Sequence, residues 1–286
     1  MNIISGCGSR DKNKSQSLGA KYLSFRLYAK LYKRKLYFIL EEKTMEYKRL
    51  RFEDYFTICS ENWNRNKTDL KIAKYESIPY EYKGKQYCVD FEVRFDEPRN
   101  CIQVIFEQTS SKSDWRVNFN FPSKLYDKFT FDGKLIQLKV HRGWGNMWLV
   151  CQSTVRQRIK ALLDIHPDAF IEVFGWSLGS GMAQLAAEDI YFKFGLKPYL
   201  YTYGSVKPFY GKDTYTFVKS CCAEAYNFYD HCDIVGYMVP FFGWRAINHC
   251  KVKLEKFSIL KLFKPNTYHT KYDVEGQYSD YEQFVT

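Results

Sequence analysis

The sequence predicts an α/β domain built on a largely parallel sheet with helices on both faces. Three observations carry this. From about residue 85, short apolar runs alternate with stretches at helical spacing. The run Phe170–Phe174 ends in Gly175-Trp176-Ser177-Leu178-Gly179, a small-residue turn between a strand and a helix. The 286 residues are 45 % apolar, enough for a sizeable core and incompatible with disorder throughout.

In chain order, Cys101–Phe106 (CIQVIF) reads as a buried strand, and Lys134–Val140 alternates as a half-buried one. Trp148, Cys151, Val155, Ile159 and Leu162 lie on one helical face, and His166-Pro167 stops that helix. Phe170–Phe174 predicts a strand, Ser180–Phe192 a helix with a small-residue face, and Tyr199–Tyr203 and Ala225–Tyr229 two more strands. There is no internal repeat.

The N-terminal part differs in composition. Residues 1–20 are rich in Ser, Lys, Asn and Gly and are expected to be a disordered tail. Ile4-Ser5-Gly6-Cys7 looks like the end of a lipoprotein signal, but the apolar stretch such a signal needs does not precede it. Residues 21–36 hold six basic side chains and no acid, with Leu23, Leu27 and Leu31 four apart. That is a basic amphipathic helix in outline, suited either to an anionic membrane surface or to the flank of the main domain. The expected organisation is a tail over 1–20, a basic helical extension over 21–84, the α/β domain over 85–273 and a C-terminal tail over 274–286.

The net charge of +11 favours acidic partners, but no nucleic-acid-binding motif accompanies it, so nucleic acid is not an expected partner. The nine cysteines, at 7, 59, 88, 101, 151, 221, 222, 232 and 250, are odd in number and contain no Cys-x-x-Cys. They read as reduced thiols in a protein that is cytoplasmic, free or peripheral to a membrane, rather than as a disulfide framework. No run approaches the roughly 18 apolar residues of a membrane span.

Gly175-x-Ser177-x-Gly179 between strand and helix has the form of a nucleophile elbow. The serine hydroxyl must stand exposed on a sharp turn, and flanking side chains must be absent for strand and helix to approach. The N–H of Leu178, at the helix start, is then aimed at an oxyanion. A dinucleotide fingerprint beginning at Gly179 fails at Gln184, and no phosphate-loop Gly-Lys-Ser/Thr occurs. A serine nucleophile needs a base and an acid, in hydrolases of this type in the order Ser, Asp/Glu, His. His141 and His166 precede Ser177 and His231 lies between the two candidate acids Asp230 and Asp233, which leaves His249 or His269 as the base. Asp230-His231-Cys232-Asp233 lacks a second ligand group at a recognised spacing, so neither metal nor cofactor is expected.

These motifs resemble the class 3 lipases over roughly residues 85–273. Lys139-Val140-His141-Arg142-Gly143-Trp144, Thr202-Tyr203-Gly204-Ser205 and Asp233-Ile234-Val235 are similar to family segments in the family's order. The resemblance implies an α/β-hydrolase fold, a lipid ester as substrate and serine ester hydrolysis of lipase or phospholipase A1 type. It selects Asp233 as the acid and His269, within NTYHTKYD, as the base, with His249 in reserve. Thr109 and Leu178 correspond to the oxyanion-hole residues. Glu107-Gln108 replace the family's arginine and glycine, which suggests as a second function a weakly catalytic or inactive hydrolase-fold module that binds membranes or partners. Residues 116–134 stand where the family carries a lid, and their aromatic residues serve equally as core packing.

Overall fold

The computed structural model describes residues 46–65, 76–82, 84–107, 122–237, 243–252, 266–269, 272 and 278–282. The chain divides into two compact units, residues 1–47 and 48–286, and the second carries the fold described here. The expected tail over 1–20 and basic helix over 21–36 lie outside the described residues.

Unit 48–286 is built on a seven-stranded sheet in the order β1-β2-β3-β6-β7-β9-β11. Its strands are β1 (Glu76–Tyr82), β2 (Lys85–Asp96), β3 (Cys101–Phe106), β6 (Phe170–Trp176), β7 (Tyr199–Tyr203), β9 (Glu224–Asp230) and β11 (His249–Val252). β1, β2 and β3 pair antiparallel, and β3, β6, β7, β9 and β11 run parallel. This is the α/β-hydrolase architecture expected. Side chains alternate between two cores, as strand geometry requires. Ile171 and Val173 of β6 face one core, and Phe174 and Trp176 face the other.

The first core is closed by helices α2 (Arg142–Ile165) and α3 (Leu178–Phe194). His141 caps α2 by accepting the N–H of Trp144 at Nδ1. Helix α3 is buried nearly all round, which its run of Gly, Ser and Ala makes possible. The second core is covered by α1 (Phe52–Arg65), whose buried Phe52, Tyr55, Phe56 and Cys59 form a stripe at helical spacing.

Two boundaries differ from expectation. The break expected at 84/85 falls inside the β1–β2 hairpin, whose turn contains Gly84 at φ +72°, and α1 packs against β6 and β7. The expected C-terminal tail carries Tyr278, which is fully buried and packs against Phe52 and Phe228. The aromatic side chains on both flanking segments complete the second core, so the domain reaches past 85–273 at each end.

A second sheet, β10-β8-β5-β4, consists of β4 (Ser123–Phe129), β5 (Leu135–His141), β8 (Phe209–Tyr210) and β10 (Trp244–Arg245). The alternation expected for β5 appears as Ile136, Leu138 and Val140 turned inward. β4 is fixed to α3 by buried Lys128, which pairs with Glu188 at 2.7 Å and also bonds Asp189. Arg156 of α2 completes the cluster by binding Asp189 through two 2.7 Å bonds. Two buried acids so close require these cations. Residues 123–129 are therefore a strand of the body rather than a lid, while 116–121 lie outside the described residues.

Candidate active site

Parallel strands of an open sheet present their carboxyl ends on one edge, where ligands bind. β6 ends at Trp176 and is followed by Ser177, β7 ends before Gly204, and β9 ends at Asp230, just ahead of Asp233. The topology thus brings the elbow, the Thr202–Ser205 segment and the acidic turn to one edge.

Ser177 adopts φ +57° and ψ −122°, a backbone state that L-residues avoid. The surroundings hold it there. Its N–H donates to the carbonyl of Tyr203 at 2.9 Å, and its own carbonyl accepts the N–H of Ser180 at 2.9 Å. A Cβ on Gly175 would run into the backbone of Gly179, and one on Gly179 would meet the Phe106 carbonyl oxygen at 2.5 Å. These two glycines let β6, α3 and the end of β3 converge on the serine. Leu178 is the first residue of α3, so its N–H is one of the helix's unpaired donors and stands next to the hydroxyl.

Asp233 is fully buried and accepts three hydrogen-bond donors. Its Oδ2 lies 2.8 Å from Nδ1 of His269 and 2.9 Å from the Tyr272 hydroxyl. Its Oδ1 accepts the N–H of Val235 at 2.9 Å. The His269 ring lies against Gly204, where a Cβ would come within 2.5 Å of Cε1 and 3.2 Å of the Asp233 carboxylate. The Ser177 N–H bonds the carbonyl of Tyr203, the residue before Gly204, so the backbone of the elbow and the imidazole both border this segment. The carbonyl of His269 accepts the Trp176 indole N–H at 3.0 Å, which ties the histidine segment to the strand of the elbow. Nε2 of His269 is buried and has no hydrogen-bond partner among the described residues. Ser177 is 5 % exposed and His269 9 %.

Burial and the adjacent Asp233 charge push the Tyr272 phenol well above its ordinary range, so it remains a donor to the carboxylate. Asp233 therefore keeps two acceptor bonds besides the one to the imidazole, an arrangement that holds the carboxylate in place and aligns the ring.

His249 sits elsewhere. It stacks on Tyr229 with ring centres 3.9 Å apart, and its Nε2 is 3.2 Å from the carbonyl oxygen of Ser205. Burial and nearby Lys207 push it down to about 4, so it is neutral near pH 7. Of the remaining histidines, His141 caps α2 and His166 stacks on Phe95. Thr109 falls outside the described residues, while Glu107 lies just past β3 with its N–H on the carbonyl of Asp90. Two functional positions escape sequence reasoning. Tyr272 stands three residues after His269, a spacing that becomes meaningful only with Asp233 beside it. Gly204, within Thr202–Ser205, marks the close approach of the imidazole.

Residues 103–242 match the model of the lipase (class 3) family. No protein of curated function matches the chain. Among solved structures, the Rhizomucor miehei lipase propeptide complex is 22 % identical with a TM-score of 0.58. That match covers 71 % of this chain and 66 % of the other, slightly under two thirds of its length. Lipase II from Rhizopus niveus is 18 % identical with a TM-score of 0.55, covering 72 % of this chain and 80 % of that one. A triacylglycerol lipase whose catalytic centre is described as a serine-protease triad is 22 % identical with a TM-score of 0.54, covering 72 % and 76 %. At these identities the likeness is one of fold.

Proposed function

Because residues 103–242 of the chain belong to the class 3 lipase family, we propose that the protein is a serine carboxylester hydrolase cleaving fatty-acyl esters of lipids. The observation that carries the reading is the buried Asp233–His269 bond at the sheet edge that also carries a serine held at φ +57°. In this reaction Ser177 Oγ attacks the acyl carbonyl while His269 Nε2 takes its proton. Asp233 keeps the proton on Nδ1 and stabilises the imidazolium. The N–H groups of Leu178 and Thr109 receive the developing oxyanion. Collapse of the tetrahedral intermediate passes the proton from His269 to the departing alcohol and leaves an acyl-serine. Water, activated by the same imidazole, then releases the fatty acid.

The substrate is a triacylglycerol or a phospholipid cleaved in the manner of phospholipase A1, met at an anionic membrane surface through the basic segment 21–36. The charge of +11 supports such a surface. The unpaired cysteines, exposed Cys88 among them, support a reducing compartment.

A fluorophosphonate probe tests the reading directly. The expected result is stoichiometric labelling of Ser177, abolished in Ser177→Ala, with hydrolysis of at least one of triacylglycerol, phospholipid or short-chain p-nitrophenyl ester. A folded wild-type protein that is neither labelled nor active on any of the three would favour the non-catalytic binding module instead.

A further inference from the structure

β4 closes one end of the second sheet, and its outer side has no neighbouring strand among the described residues. It pairs with β5 without a bulge, from Ser123 opposite His141 to Phe129 opposite Leu135. At one end of the pair the Thr130 N–H donates to the Lys134 carbonyl at 2.9 Å. At the other the Arg142 N–H donates to the Pro122 carbonyl at 3.0 Å, so the even-numbered residues bond toward β5. In an antiparallel pair the alternate residues then turn both backbone groups the other way. The N–H and C=O groups of Ser123, Leu125, Asp127 and Phe129 therefore form a ladder along the open edge, without backbone partners among the described residues.

The edge borders a groove of about 430 Å³, a size that suits a bound ligand. Leu149, Gln152 and Arg156, one stripe of α2, line it together with Phe192 and Lys193 of α3. Leu125, Phe129 and Leu149 border it while 50 %, 63 % and 43 % exposed. An alkyl chain would cover these apolar side chains but leave the backbone ladder unpaired, whereas an extended peptide satisfies both. Lys128, which β4 turns inward, does not repel such a strand, because Glu188 and Asp189 neutralise it, and Arg156 is likewise held by Asp189. Two cations remain. Lys124 bonds only the neutral Asn146 amide oxygen, at 2.9 Å, and exposed Lys193 has no carboxylate partner among the described residues. The remaining acid of the lining is Asp127, on the outward face with its Oδ1 on the Gln137 amide.

We propose that the open edge of β4 binds an extended segment of a partner protein as an added strand, with apolar residues at alternate positions and Asp or Glu placed toward Lys124 and Lys193. Main-chain hydrogen bonds to the ladder supply affinity, and the alternating side chains supply specificity. On the outward face the apolar residues lie beside Leu125 and Phe129, and on the helix side beside Leu149 and Phe192. Asp189 follows Leu178 by 11 residues of α3, about 16 Å of helix, which sets the groove apart from Ser177. The site stands independently of the hydrolase reading, since none of its residues takes part in that chemistry.

Two measurements on the full chain test it. In the first, a phage library of random heptapeptides is selected on the wild type and, in parallel, on Leu125→Pro. That substitution removes one N–H of the ladder and keeps the pairing with β5, because an edge strand accepts proline where its N–H faces outward. The wild type should enrich peptides with alternating apolar residues and at least one Asp or Glu, and Leu125→Pro should not. In the second, the most enriched peptide is synthesised and titrated into the wild type by fluorescence anisotropy. N-methylation of its backbone nitrogens at alternate positions should weaken binding at least about tenfold in one phase and far less in the other, since only every second N–H faces β4. Lys193→Glu should also weaken binding. The proposal is overturned if the wild type enriches no such peptides, or if both methylation phases bind alike. It is also overturned if the wild type dimerises and Leu125→Pro is monomeric, which would assign the edge to a second copy of the chain. The methylation arm uses the wild type alone, so a folding defect in either variant would not protect the proposal.

Discussion

The hydroxyl of Tyr272 donates to Oδ2 of Asp233 at 2.9 Å and accepts the backbone N–H of Asp230 at 2.8 Å, so one phenol spans both ends of the acidic turn. It shares its carboxylate oxygen with the Nδ1 of His269. Removing the hydroxyl should therefore disturb the acid and its backbone together. A hydrogen bond to a charged group contributes about 1.5–3 kcal/mol. Tyr272→Phe should lower kcat by roughly ten- to a hundredfold with KM little changed. Because the Asp230 N–H loses its acceptor, the variant should also unfold about 1–3 kcal/mol more easily in urea. Unchanged kcat in the folded variant would remove Tyr272 from the positioning of Asp233.

Gly204 is the second position to test. It has φ +52°, and an added Cβ would press on the imidazole at 2.5 Å. Gly204→Ala should displace the His269 ring by a fraction of an ångström to an ångström and lower kcat about a hundredfold. Fluorophosphonate labelling of Ser177 should slow in parallel. Labelling at the wild-type rate would show that the ring is not confined by this glycine.

The two C-terminal histidines should separate cleanly. His269→Ala removes the imidazole bonded to Asp233 and should reduce ester turnover by about 10⁴-fold or more. His249→Ala, on the Ser205 carbonyl and the Tyr229 ring, should chiefly lower stability and leave kcat within about tenfold. The reverse ranking would transfer the base to His249.

His249 also gives stability a dependence on pH. Its folded value is pushed down to about 4 from 6.5, so the unfolded chain takes up the proton first as pH falls. The associated stability is present above pH 6.5 and is lost as pH drops toward 4. Between pH 7 and pH 5 the loss should be about 2 kcal/mol in urea unfolding. His249→Gln should flatten this part of the profile. An equally steep profile in that variant would assign the loss to other groups.

The basic segment can be tested by its response to salt. Each Lys or Arg near an anionic bilayer contributes about 1 kcal/mol, screened over a Debye length. Deleting residues 1–36 should weaken binding to phosphatidylserine-containing vesicles, and high salt should weaken binding of the intact chain. Turnover of a soluble short-chain ester should change little. Vesicle binding that is absent, or indifferent to both changes, would make residues 21–36 a solvated face only.

The local text of the chain determined a good deal. The apolar run of β6, the glycines on either side of Ser177 and the small-residue face of α3 belong to one window of about 25 residues. That window permits the elbow, because the absence of side chains at Gly175 and Gly179 is what lets strand and helix meet at the serine. The alternation of β5 and the helical stripe of α2 were legible for the same reason, since period and burial are local properties. The stripe Phe52, Tyr55, Phe56, Cys59 was equally legible and shows α1, but not which sheet face it covers.

The sheet order decided the rest. Asp233 and His269 are 36 residues apart and Asp233 and Tyr272 39, and composition leaves Asp230, His249 and His269 as equals until β9 and β11 are set beside β7. Only then does the Asp233 carboxylate meet His269 across Gly204, while His249 is turned to Ser205. The ends of the domain are a tertiary matter too. α1 and Tyr278 join the body because the exposed face of a parallel sheet must be covered, and β1 because the open edge of β2 offers unpaired backbone groups; no local pattern says which distant segment will do either.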